Sequence, residues 1–170
     1  MRKIILSCVF LFLLYGCSNS VSVTPQEVAK RYEQDFSSSV IAVFGDNRTE
    51  MEASKNGMSI SVSVNSPTEL SGMGIEIFDE HAKIIYEGME QEIKKDSLPE
   101  GTPFLLLEEL FDELSDPEEF NLSTENEKLI ANFEDFSAVL SPEDFSLISA
   151  KFPLFETEFT FSDFVFKPAE

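Results

Sequence analysis

Between Met58 and Asn65 apolar and polar side chains alternate without exception: Met58, Ile60, Val62 and Val64 against Ser59, Ser61, Ser63 and Asn65. A strand places successive side chains on opposite faces, so this segment is predicted to be a strand with one covered and one wet face. A slip of one residue would move all four apolar groups into water, which fixes the register of any partner strand. Asn56-Gly57 just before it is hairpin turn chemistry. Further strands are expected at Val40–Phe44, Arg48–Ser54, Ile75–Phe78, Ala82–Tyr86 and 89–95, separated by Gly45-Asp46-Asn47, Ser66-Pro67, Asp79-Glu80-His81 and Glu87-Gly88. None of these gaps is long enough for a crossover helix, so the meander is predicted to be antiparallel.

A helix is expected ahead of the sheet, from about Pro25 to Ser37. Thr24-Pro25-Gln26-Glu27 has the form of a capping box with proline at the first helical position, and Val28, Tyr32 and Phe36 recur at four-residue steps. A second helix follows from Thr102-Pro103 to about Ser115, ended by Pro117. Seven of its eleven residues from Phe104 to Leu114 are apolar, more than a single stripe, so it is predicted to be covered on more than one side. Residues 116–126 read as an acidic loop with a short helical turn at 118–120. Strands return at 129–133, 136–140, 145–152 and 155–161, with Phe155, Phe159 and Phe161 on one face. Twelve of the 17 phenylalanines fall between Phe104 and Phe166, and a sheet this aromatic must be covered.

The first 16 residues form a separate unit. Arg2 and Lys3 precede an apolar run from Ile4 to Tyr15, too short to span a bilayer, and small residues follow. Leu14-Tyr15-Gly16-Cys17 has the pattern of a bacterial lipoprotein processing site, with Tyr15 departing from the small residue usual there. The expected division is a signal peptide at 1–16, a lipidated tether at 17–23 beginning at Cys17, and one domain at 24–170. Acyl chains on Cys17 would hold the protein at a bacterial membrane, facing away from the cytoplasm, with an outer membrane as the destination in a two-membrane envelope. Cys8 lies in the leader, so the mature chain has no internal disulfide and no thiol nucleophile besides the modified one.

Charge excludes further classes. The chain carries 32 acidic and 12 basic residues, and removing Arg2 and Lys3 leaves 10 basic ones. Such a body repels nucleic acid and anionic headgroups, so attachment falls to the lipid. Fourteen carboxylates lie between Glu100 and Asp144 with Lys128 as the sole cation there, which makes a solvated acidic face, or a surface that binds cations or a basic protein partner.

Helix, strands, apolar helix and aromatic strands behind a lipobox together resemble the LolA/LolB/LppX type of lipoprotein carrier. The resemblance rests on 58–64, on Ser71-Gly72-Met73 before Ile75, on 83–88, on Leu98-Pro99 ahead of the apolar helix, and on the closing 159–164. It implies an α+β fold in which a curved antiparallel half-barrel is covered by two or three helices around an apolar cavity. No position matches the family's lid-locking arginine or protruding-loop leucine. An enzyme is not indicated: His81 is the only histidine, it sits in a turn, and no phosphate-binding loop or nucleophile elbow occurs. No cofactor is expected.

Two functions follow. In the first, a tethered, non-enzymatic lipoprotein binds a hydrophobic ligand, lipid or acyl chains, against Met58, Ile60, Val62, Ile75, Ile77, Phe104, Leu107, Phe111, Phe159 and Phe161. In the second, the interior is filled and the acidic surface recruits a basic protein for envelope assembly.

Overall fold

The computed structural model describes residues 23–168, so the leader, Cys17 and most of the tether lie outside the described residues. Helix α1 runs from Pro25 to Tyr32 and opens on the predicted capping box: the Thr24 N–H donates to Glu27 Oε2 at 2.8 Å, and the Glu27 N–H donates to Thr24 Oγ1 at 3.4 Å. The helix ends five residues earlier than expected because Phe36 begins a strand. Serines 37–39 and Val40-Ile41 are poor helix formers, and their backbone is claimed by strands on both sides. Tyr32 and Phe36 still touch, ring centroids 6.1 Å apart, but across a helix–strand junction.

The first meander comprises β1 (Phe36–Phe44), β2 (Asn47–Asn56), β3 (Ser59–Ser66), β4 (Gly74–Phe78), β5 (His81–Tyr86) and β6 (Met89–Lys94). A 3-10 turn (Lys95–Ser97) leads to α2 (Pro103–Leu114). The second meander is β7 (Asn121–Glu125), β8 (Lys128–Asn132), β9 (Ser137–Leu140), β10 (Leu147–Phe152) and β11 (Thr157–Phe166), with a 3-10 turn (Pro153–Phe155) before β11. The eleven strands form one antiparallel sheet in the order β6-β5-β4-β3-β2-β1-β11-β10-β9-β8-β7. Its two open edges, β6 and β7, are the strands that flank α2. The chain therefore crosses one face of the sheet between them, and α2 lies on that face. The α+β architecture, an open curved sheet with two α-helices on one side, is the expected one.

Local departures have identifiable causes. The hairpin after β2 turns on Gly57-Met58 rather than Asn56-Gly57, since Asn56 pairs with Ser59. Gly57 takes φ +61° at the first central position, the geometry of a type II′ turn. The segment expected as an acidic loop contains β7, paired with β8 through a turn in which Asn126 and Glu127 both adopt positive φ, 49° and 64°. A glutamate in that conformation is costly and carries no turn signal in the sequence. Phe155 falls in the 3-10 turn, 37% exposed, and does not share the face of Phe159 and Phe161.

A bulge in β11, where Asp163 (φ 52°) and Phe164 stand opposite Ser38, changes the parity of that strand. Phe159 and Phe161 face the helices before it and Phe164 and Phe166 after it, so all four rings reach the same side. The Ser38 hydroxyl, buried at this irregularity, donates to the Ser162 carbonyl at 2.9 Å.

Candidate functional site

The rows facing the helices are apolar on most strands. On β3 and β4 the sequence pattern aims Ile60, Val62, Val64, Ile75 and Ile77 inward, and each is at most 4% exposed. On α2, Leu106, Leu107, Leu110, Phe111 and Leu114 are at most 1% exposed. Burying each of these five contributes about 1.5–3 kcal/mol, so the helix is held to the sheet chiefly by this face.

Of the ten residues expected to line an interior, eight are buried there. Ile60, Val62, Leu107, Phe111, Phe159 and Phe161 belong to one continuous core; Ile75 and Ile77 form a smaller one with Ala82. Phe104, half-buried on α2, packs against both and joins them. Met58 is the exception. The one-residue displacement of the turn places it at the hairpin tip, 91% exposed, where it borders a cleft.

The space between helices and sheet is occupied by the protein's own side chains. A chain of rings runs from Phe36 to Phe111 (4.7 Å), Phe161 (6.3 Å), Phe159 (6.3 Å), Phe152 (5.9 Å), Phe136 (4.3 Å) and Phe133 (4.2 Å). Such pairs add about 0.5–1.5 kcal/mol each beyond the area they bury. Sequence reading missed Phe36, assigned to a helix, and did not single out Phe136, which lies just ahead of β9, or Phe152, which closes β10.

Two clefts open beside α2. The first, about 350 Å³, lies between the C-terminal half of α2 and the β2–β4 strands and is lined by Met58, Ile60, Ile77, Lys55, Lys95, Glu108, Asp112 and Ser115, among others. Lys55 Nζ donates to the Tyr32 carbonyl at 2.6 Å and to Ser115 Oγ at 3.3 Å, tying the C-terminal ends of both helices together. Loss of water there lowers the Lys55 pKa, against the pull of Asp112, Asp35 and Glu33. It raises that of Asp112, against Lys95 and Lys55. Lys95 is paired with Glu108 at 2.6 Å.

The second cleft, about 250 Å³, is floored by Leu105, Leu106, Phe152, Leu154 and Phe155 and bordered by Glu100, Glu109 and Asp135. Gly101, at φ +73°, lets Phe155 close against the loop: a Cβ there would lie 2.3 Å from Phe155 Cδ1. Burial and the nearby Asp135 and Glu108 raise the Glu109 carboxyl. Burial, then Glu109, Glu119, Asp135 and Glu134, push Glu113 up to about 7.

A wider trough of about 470 Å³ lies on the opposite face of the sheet. Its floor includes Ser37, Ser39, Ser54, Ser61 and Ser63, the small polar partners of the buried rows. His81 is exposed in the β4–β5 hairpin beside Phe78, away from either cleft floor. Among the described residues no helix is long and apolar enough to cross a membrane, and no three His, Cys, Asp or Glu side chains are grouped to hold a metal ion.

No family model matches the sequence, and no curated protein is similar to it. Solved structures are similar in fold. An uncharacterized conserved protein from Thermus thermophilus superposes with a TM-score of 0.55 at 10% identity, covering 84% of this chain and 85% of that one. A LolA superfamily protein from Nitrosomonas europaea aligns over 88% of this chain and 96% of its own, with a TM-score of 0.42 at 10% identity. A putative outer membrane lipoprotein-sorting protein domain from Vibrio parahaemolyticus aligns over 84% and 92%, with a TM-score of 0.44 at 11% identity. Identities this low speak to fold alone.

Proposed function

We propose that this chain is a non-enzymatic lipoprotein of the bacterial cell envelope, anchored through lipid on Cys17 and facing away from the cytoplasm, whose half-barrel takes up a hydrophobic ligand such as acyl chains. One observation carries this reading: α2 covers the apolar face of an open eleven-stranded sheet while joining its two free edges. A helix so placed can be exchanged for another apolar body without breaking a strand pair. In the closed form, the side chains of α2 occupy the concavity. Lifting the helix on its flanking segments, 95–102 and 115–120, would present Ile60, Val62, Ile75, Ile77, Phe159 and Phe161 to the ligand, with Leu107, Phe111 and Phe104 closing over it. The cleft beside Met58, Ile60 and Ile77 supplies a way in.

The test uses the full-length chain extracted from bacterial membranes. Native mass spectrometry is expected to show covalent lipid at the N-terminus and a further noncovalent lipid mass. Photoactivatable palmitate is expected to label peptides containing Ile60, Ile77 or Phe104. Labelling confined to the N-terminal cysteine, with no retained lipid, would rule out uptake into the half-barrel.

A second reading is favoured by the filled interior together with the crowded carboxylates on the outer side of α2. In it the core serves stability alone, and the acidic face receives a basic protein partner during envelope assembly.

A further inference from the structure

We infer that the crevice between α2, the Pro153–Phe155 turn and the β8–β9 turn is a docking pocket for a basic polypeptide segment that presents one bulky apolar side chain between positively charged ones. This rests on the acidic-face reading above and gives it a location and a ligand chemistry.

Two exposed apolar side chains stand together beside one hole. Leu154 is 76% exposed and Phe155 37% exposed, and both line a crevice of about 250 Å³ whose floor is Leu105, Leu106 and Phe152. Water gains little from contact with such a floor, so an apolar group of the right size is favoured there. The crevice is small, suited to one large side chain and too small for a folded element.

The rim decides what accompanies that side chain. Glu100 comes from the loop before α2, Glu109 from α2 itself and Asp135 from the β8–β9 turn, so carboxylates stand on three separate elements around one apolar floor. None of the ion pairs among the described residues involves them. Burial first, and then the neighbouring Asp135, raise the Glu109 carboxyl, and a cation placed between Glu109 and Asp135 relieves the second of these. A second copy of this chain, with 32 acidic and 12 basic residues, repels the rim, and so does an anionic bilayer. A basic segment with a central apolar anchor satisfies floor and rim together, as buried anchors inside polar rims do at protein interfaces.

Fluorescence anisotropy on the full-length chain, with two labelled peptides, tests this. One carries phenylalanine between Lys-Arg and Arg-Lys; the other carries serine in its place. The phenylalanine peptide is expected to bind at least tenfold more tightly. Leu154→Asp and Glu109→Lys are each expected to weaken it at least tenfold while leaving the thermal melt within a few degrees, since both side chains are exposed. Equal binding of the two peptides, or indifference to Leu154→Asp, overturns the pocket while leaving the acidic face as a binding surface. Failure of both peptides to bind overturns the pocket and the acidic-face reading together. Leu154→Ala, expected to weaken the phenylalanine peptide and spare the serine peptide, separates loss of the apolar wall from added charge.

Discussion

The two wings of the sheet meet the same helix in different ways. On the β8–β11 side, Phe136, Leu140, Leu147, Phe152 and Phe159 are at most 5% exposed and the rings contact one another edge to face or stacked. On the β4–β6 side, burial stops at Ile75, Ile77 and Ala82; Ile84, Ile93 and Leu98 are half-buried, and Met89 is 67% exposed. The aromatic wing is sealed by large, rigid rings from strands and helix alike. The aliphatic wing has shorter side chains, and its outermost strand, with sequence MEQEIK, offers almost nothing to bury. The packing predicts that if α2 opens, it opens on the β4–β6 side, with the phenylalanines as the pivot.

The sharpest challenge to this contrast is Phe159→Ala. It is expected to cost about 3–5 kcal/mol in a denaturant melt, as other buried rings do when truncated. A loss below about 1 kcal/mol would mean the aromatic wing is not the fixed one. Lys55→Met removes one of the two donors that join the ends of α1 and α2, leaving the Tyr32 carbonyl to the Ser115 hydroxyl alone, and is expected to cost about 1–3 kcal/mol. If the pivot idea holds, hydrogen exchange in β4–β6 should accelerate in that variant while β10 and β11 stay protected. Ile93→Ala, on the looser wing, is expected to cost about 1 kcal/mol, because only part of its surface leaves water on folding.

A smaller effect concerns charge. Glu113 titrates at about 7 in the folded chain, above the ordinary 4.5, so the folded state holds its proton more tightly than the unfolded one. Stability is therefore expected to fall as pH rises from about 4.5 to 7 and to level off beyond. Because Glu113 is partly solvated, its share is screened to about 1 kcal/mol or less. Glu113→Gln should flatten that slope and raise the melting temperature at pH 7.5 by about 2–4 °C. Met58→Ser, at an exposed turn, should change stability by less than about 0.5 kcal/mol.

Much of this was legible because buried and wet residues obey simple periods. The alternation through Ile60, Val62 and Val64 gave β3 and its facing, and the surplus of apolar residues on α2 gave its burial on several sides. What escaped reading was conformational rather than compositional. Phe36 continues a four-residue spacing, yet a run of serines hands it to the sheet. Met58 lies in the same alternation as Ile60, but the turn consumes it. Glu127 and Asp163 adopt left-handed backbone, which residue type does not announce, and with them came a hidden strand and a bulge that turns two further rings inward. Whether the concavity is empty or packed depends on how side chains of matching apolarity interlock, and hydropathy cannot express that.

The strand order puts the first and last strands side by side at the centre of the sheet, and the Lys167 N–H donates to the Asp35 carbonyl at 2.8 Å. The domain consequently has the end of β11 beside the junction of α1 and β1. Splicing its two ends and cutting instead at the tip between β7 and β8 would keep every pairing intact. Traction arriving through the N-terminal segment is likewise delivered to the central strand pair, while the two edge strands, β6 and β7, lie farthest from it.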